Sequence, residues 1–183
     1  MAEKPDDNTP RGRLRALYDW VTGTTPSPQT PTSLPIEPPR EGVPTRIGHY
    51  AIARKLGQGG MGVVYAARDE RLDRTVALKT MSSLATDETA RKRFWREARA
   101  AASVNHPNIC QLYDVGEDRG ELFIAMELLE GEALADRLRR GAMSVAEAMP
   151  IGLGVLAALS ALHARGIVHR DLKPTNVFLT PTA

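Results

Sequence analysis

The sequence predicts an α+β fold, in which a five-stranded antiparallel sheet carrying one helix precedes the start of a helical region. Three observations predict it. From Ile47 onward, short runs of alternating apolar and polar residues are separated by turn-rich gaps. A stretch at helical spacing, from about Glu88 to Val104, interrupts those runs after the third. Beyond Gly131 only helical patterning follows.

Taken in order, residues 1–45 read as a disordered tail. Nine of the thirteen prolines lie before residue 46, and Thr24 to Pro44 carries almost no large apolar residue, so it buries too little to offset chain entropy. Within the tail, Leu14, Leu17, Tyr18 and Val21 recur at helical spacing and predict a short amphipathic helix, transient or partner-binding. Residues 46–129 form a small lobe. Its first strand holds Tyr50, Ile52 and Leu56, the second Val63-Val64-Tyr65-Ala66, and the third Thr75-Val76-Ala77-Leu78-Lys79. After the helix and a loop at Asn105-His106-Pro107-Asn108, strands fit Ile109 to Val115 and Glu121 to Glu127. Residues 130–183 begin a larger helical lobe, with one helix at Ala133 to Arg140 and a second from the Ser144 cap to about Ala164. Glu147, three residues after Ser144, completes a capping-box pattern.

The second helix contains the longest apolar run, Ile151 to Leu162. The run falls short of the roughly 20 residues that span a bilayer, so it predicts a buried helix and no membrane span. Composition narrows the function classes. With 24 basic against 22 acidic residues and four His, charge gives no bias toward nucleic acid or membrane. One cysteine, Cys110, excludes an intrachain disulfide framework, and no Cys/His cluster has zinc spacing. The opening Met1-Ala2-Glu3-Lys4-Pro5 lacks an apolar segment of signal type. A cytoplasmic protein is the expectation.

Gly57-Gln58-Gly59-Gly60-Met61-Gly62 lies between two predicted strands, unlike a dinucleotide-binding loop, which a helix follows. Glycines at Gly57, Gly59 and Gly62 would let backbone amides approach phosphates, although the same residues also suit an ordinary glycine hairpin. In the third strand, period two puts Ala77 and Lys79 on one face and Val76 and Leu78 on the other. A small side chain and an ammonium then share a surface, next to the glycine hairpin. Glu97 shares a helix face with Phe94 and Ala101 and is expected to hold Lys79. The competing partner is Arg93, one turn back.

Most specific is Ile167-Val168-His169-Arg170-Asp171-Leu172-Lys173-Pro174-Thr175-Asn176-Val177-Phe178-Leu179. Together with the glycine loop, Val76-Ala77-Leu78-Lys79 and Glu97, in this order, it resembles the eukaryotic-type protein kinases, over about residues 46 to 180. The bacterial serine/threonine members come nearest, with Gly-Gly-Met-Gly at the loop tip.

The resemblance implies a protein kinase-like fold and the cofactors ATP and Mg2+. Asp171 resembles the residue that accepts or orients the proton of the acceptor hydroxyl, and Lys173 the one that neutralises the transferring phosphoryl group, which points to a protein substrate with a Ser or Thr acceptor. Asn176 resembles the magnesium-binding asparagine. Lys79 and Glu97 resemble the phosphate-anchoring pair. Leu56, Gly57, Gly59, Gly62, Val64, Ala77 and Phe178 would enclose the nucleotide, Met126 would gate the back of the adenine pocket, and the backbones of Glu127 and Leu129 would bond the adenine edge. His169 is expected as a packed core residue, and Arg170 as a partner for a phosphorylated activation segment.

No Asp-Phe-Gly, the family's principal magnesium-binding motif, occurs in the 183 residues. The expectation is therefore weak or no phosphoryl transfer by this polypeptide alone. A pseudokinase-like nucleotide-binding or scaffold module is the alternative, as is a truncated product without function. The long apolar helix is expected to expose Leu153, Leu156, Leu159 and Leu162, and to invite self-association or cover by the segment near Leu14.

Overall fold

The computed structural model describes residues 13–16, 44–59, 62–81 and 88–180. Antiparallel pairing joins six strands in the order β2-β3-β4-β5-β7-β6, namely β2 (Arg46–Ile47), β3 (Tyr50–Gly59), β4 (Gly62–Asp69), β5 (Arg74–Met81), β6 (Leu112–Asp118) and β7 (Glu121–Glu127). Five of these are the expected strands, and the two-residue β2 extends the edge beside β3. Register shifts between Ile52 and Arg54, Lys55 and Gly57, and Leu112 and Asp114 mark irregularities of the bulge kind that curve a sheet. Strand β6 begins three residues later than predicted. The Ile109 amide closes a turn on the His106 carbonyl, and Gln111 spends its backbone on Glu127 before the ladder starts.

Alternation along the strands builds two cores. Val64, Ala77 and Met126 face helix α1 (Glu88–Ala102), which contributes Phe94, Ala98 and Ala101. Tyr65, Val76 and Leu78 point the other way, to a cluster with Tyr50 and Phe123. Tyr50 and Phe123 meet edge to face with centroids 5.6 Å apart. The Tyr50 hydroxyl donates to Asp114 Oδ2 at 3.0 Å. Burial first, then that bond, pushes the phenol up from its ordinary value.

The second lobe starts with β8 (Glu132–Ala133) and α2 (Leu134–Arg139), followed by α3 (Val145–His163). The predicted capping box is formed: Ser144 Oγ accepts from the Glu147 amide, and Glu147 Oε2 accepts from the Ser144 amide at 2.9 Å. A 3-10 turn, Pro174–Asn176, then leads into β9 (Val177–Thr180), which pairs with β8.

Three expectations change. Helix α3 is not buried: within it only Ala158 and Leu162 are, beside Val104, Ile109 and Cys110, whereas Val145, Met149, Leu153 and Leu156 are exposed. Few neighbours pack on it within the described residues, so a helix apolar all round keeps most of its surface open. Leu162 accordingly leaves the expected patch for the core. Among the described residues, α3, at 19 residues, is also the one helix long and apolar enough to cross a membrane by length and composition. The expected helix near Leu14 is replaced at Arg13–Ala16 by a strand, β1, whose antiparallel partner is β9. Backbone pairing with β9 outweighs the weak helical preference of an uncapped short segment. Leu17, Tyr18 and Val21, and the rest of the predicted disordered tail up to Val43, lie outside the described residues.

Candidate active site

The glycine hairpin is the β3–β4 connection, with Gly59 opposite Gly62 and Gly57 opposite Val64; Gly60 and Met61 lie outside the described residues. Gly62 has φ +149°, and a Cβ there would stand 1.8 Å from the Thr80 carbonyl oxygen of β5. Sequence reasoning assigned this glycine to phosphate approach or to an ordinary hairpin. The strand beneath requires it too.

Below the hairpin, Val64, Ala77 and Met126 are fully buried together, with Leu56 and Leu129 half-buried against them. Lys79 follows Ala77 on the same face, opposite Val64 in register, and is itself fully buried. The expected partnership of Lys79 with Glu97 is not formed. Among the described residues no ion pair joins Glu97 to Lys79 or to the alternative Arg93, and Lys79 makes its polar contact elsewhere. The rotation of α1 accounts for this. Burial of Phe94, Ala98 and Ala101 sets the inward face, and at 3.6 residues per turn Glu97 sits about 60° from Phe94. Arg91, bonded to Glu117 of β6 at 2.6 Å, fastens the helix in that orientation.

At the end of β7 the Glu127 amide donates to the Gln111 carbonyl at 2.9 Å, and the Glu127 carbonyl accepts from Cys110 Sγ at 3.7 Å. Within the described residues no hydrogen bond engages the Leu129 backbone, so its polar groups suit an adenine edge. Gly131, at φ +125°, brings the connection against β9, since a Cβ would lie 1.9 Å from the Leu179 carbonyl oxygen. Phe178, paired with Ala133, is buried in the second sheet and is not part of the Val64–Ala77–Met126 cluster.

The site residues expected between His169 and Asn176 are brought together. His169 is buried, as expected, and its carbonyl accepts from the Asp171 amide at 2.8 Å. Between them Arg170 has φ +61°, a left-handed conformation unusual for a non-glycine residue, and this tight turn leaves Asp171 half-exposed. Asp171 Oδ2 receives Lys173 Nζ at 2.8 Å and Asn176 Nδ2 at 3.1 Å. Asn176 Nδ2 also donates to the Asp171 carbonyl at 2.7 Å, and Thr175 Oγ1 donates to Asn176 Oδ1 at 3.0 Å. Asn176 is buried. The Lys173 ammonium, foremost, and then the Asn176 amide and His169 hold the Asp171 carboxyl below its usual value, outweighing a smaller upward effect of desolvation. The loop therefore presents an ionised carboxylate beside a cation. Sequence reasoning missed Thr175 and the strained turn at Arg170. A threonine beside the asparagine was a faint signal for the first, and an arginine gives none for the second.

Among the described residues, no group of three or more His, Cys, Asp and Glu side chains is set to hold a metal. A metal here would rest on Asn176 and on oxygens of its own ligand, which suits magnesium carried by phosphates. The buried ammonium, the glycine hairpin and the open Leu129 backbone fit the phosphates and base of such a ligand.

Residues 50–183 match the protein kinase domain. The probable serine/threonine-protein kinase SCO3848 of Streptomyces coelicolor is 45% identical over 144 residues, which are 75% of this chain and 21% of that protein. The serine/threonine-protein kinase PknJ of Mycobacterium tuberculosis is 43% identical over 135 residues, 73% of this chain and 23% of its own. Among solved structures, the PknI kinase domain of Mycobacterium tuberculosis superposes with a TM-score of 0.68 at 36% identity, over 77% of this chain and 58% of that domain. The chain thus spans about a quarter or less of those two curated relatives and just over half of a solved kinase domain.

Proposed function

The chain belongs to the protein kinase family, with bacterial serine/threonine kinases as relatives, and on that premise we propose that it carries the nucleotide-binding and catalytic-loop portion of a serine/threonine kinase. Family members use ATP and a divalent metal to phosphorylate proteins. In this chain the metal is proposed to be magnesium and the acceptor a Ser or Thr hydroxyl. The observation that carries the reading is the closed set of Asp171, Lys173 and Asn176.

Bound magnesium-ATP supplies the phosphoryl group and neutralises charge on it. Gly57, Gly59 and Gly62 keep the hairpin bare of side chains where phosphates pass. Lys79 offers a desolvated ammonium to them. Leu56, Val64, Ala77 and Met126 surround the base, whose edge is left to the Leu129 backbone and to the second lone pair of the Glu127 carbonyl, whereas Phe178, outside that cluster, is not placed against it. Asp171, kept ionised by Lys173, orients the acceptor hydroxyl and takes up its proton. Lys173 exchanges this carboxylate for the transferring group, and Asn176 offers its amide oxygen to the metal. The protein is proposed to work in the cytoplasm, where the lone buried thiol of Cys110 suits a reducing environment.

A second reading, a nucleotide-binding scaffold with little transfer of its own, is favoured by the absence of a Lys79–Glu97 pair among the described residues. Thermal unfolding with and without magnesium-ATP tests the shared part of both. At about 100 times its dissociation constant the ligand should add roughly 2.7 kcal/mol of stability, and Lys79→Ala should abolish the gain. No rise in the parent chain would sink the nucleotide site. Adding a kinase fragment that carries Asp-Phe-Gly and the later helices then separates the two: transfer lost in Asp171→Asn supports the enzyme, and its absence supports the scaffold.

A further inference from the structure

We propose that Arg13–Ala16 acts as an intramolecular docking strand, which occupies the edge of β9 and thereby fastens the backbone that follows Asn176. The register is continuous over four residues: Arg13 opposite Thr180, Leu14 opposite Leu179, Arg15 opposite Phe178 and Ala16 opposite Val177. Among the described residues β9 has on its other edge only the two-residue β8, so β1 supplies most of its pairing there, and β1 stands at the edge of this sheet. The same strand lies against α3, on the lobe whose apolar helix is otherwise poorly covered.

A short strand whose edge is bare exposes unpaired amides and carbonyls, and an added extended segment satisfies them. Val177 directly follows Asn176, so gain or loss of β1 changes how firmly the metal-binding asparagine is anchored. Residues 17–43 connect β1 to the small lobe, which makes docking an event within one chain, at high effective concentration. Docked, the strand stiffens the catalytic loop. Released, it leaves an antiparallel edge that another extended segment can take, so the two occupants exclude one another.

Crosslinking in the full chain tests the register without weakening the fold. Arg13→Cys with Thr180→Cys should form a disulfide under mild oxidation, whereas Arg13→Cys with Leu179→Cys, one residue out of register, should not. Equal yields, or none in either pair, would overturn the proposal. Amide hydrogen exchange at Val177–Thr180 gives the second reading, in the parent chain and in Leu14→Pro and Arg15→Pro. Neighbouring residues of a strand aim their N–H groups in opposite directions, so one proline removes a bond to β9 while the other faces away and is tolerated. About tenfold faster exchange in one variant only is expected, with β5 amides unchanged. Identical β9 protection in all three chains would count against docking, whatever the crosslinking yield.

Discussion

Lys173 Nζ stands 2.8 Å from Asp171 Oδ2, and Asn176 Nδ2 holds the same oxygen at 3.1 Å. The carboxylate therefore has both a cation and an amide as partners on one oxygen. Lys173→Ala should raise the Asp171 titration toward the ordinary carboxylate value, because the largest cause of its depression is removed. The sign is that of a depressed acid: the interaction is fully present above the unfolded-state value and is lost as pH falls through the lower folded one. Carboxyl-carbon NMR titration of parent and variant reads this directly, and identical titrations would separate Lys173 from Asp171.

The two glycines Gly62 and Gly152 should respond to alanine in opposite ways. Gly62→Ala places a methyl group 1.8 Å from the Thr80 carbonyl in a backbone conformation unsuited to it, at a cost on the order of 1–3 kcal/mol. Gly152, inside α3, has nothing within 4 Å of a built Cβ, so Gly152→Ala should stabilise by roughly 0.5–1 kcal/mol. Urea midpoints of the two variants decide it.

Along α3, burial rather than residue type should set the effect of a truncation. Leu162 is fully buried and Leu156 is 63% exposed. Leu162→Ala should cost about 2–5 kcal/mol, and Leu156→Ala should stay within about 0.5 kcal/mol. Equal losses would mean that a surface outside the described residues covers Leu156.

The Ser144 cap makes the start of α3 sensitive to acid. The Ser144 amide and hydroxyl, followed by Arg137, hold the Glu147 carboxyl below its ordinary value. This contribution is present above the unfolded-state value and disappears as pH drops through the folded one. Ser144→Ala should cost about 1 kcal/mol near neutrality, and Glu147→Gln should flatten the acid limb of the stability profile, as followed by circular dichroism.

Much of the fold was legible because period-two alternation and the capping box are local signals. Ala77 and Lys79 on one face, Val76 and Leu78 on the other, and the Ser144–Glu147 pair needed no tertiary information. Where a residue's fate depends on a distant surface, the reading failed. Glu97 was expected to reach Lys79, yet the rotation of α1 follows from packing that three residues settle together. The segment at Arg13 to Ala16 had the composition of a weak helix, and only the free edge of β9, encoded more than 160 residues later, turns it into a strand. The cluster of Asp171, Lys173 and Asn176 was legible from its spacing, whereas the left-handed turn at Arg170 beside it was not.

The six-stranded sheet and the sheet of β1, β9 and β8 share no strand among the described residues. The glycine hairpin and the Asp171 turn are therefore mounted on separate plates, joined by the chain at Leu128 to Gly131 and again where Ala158 and Leu162 of α3 pack beside Val104, Ile109 and Cys110 of the small lobe. Tilting one plate against the other breaks no ladder hydrogen bond but must shear the packing of Ala158 and Leu162, so the strain of any such motion falls on that contact. The same contact ties their melting together: loosening the sparsely covered helix opens the core of the six-stranded plate as well.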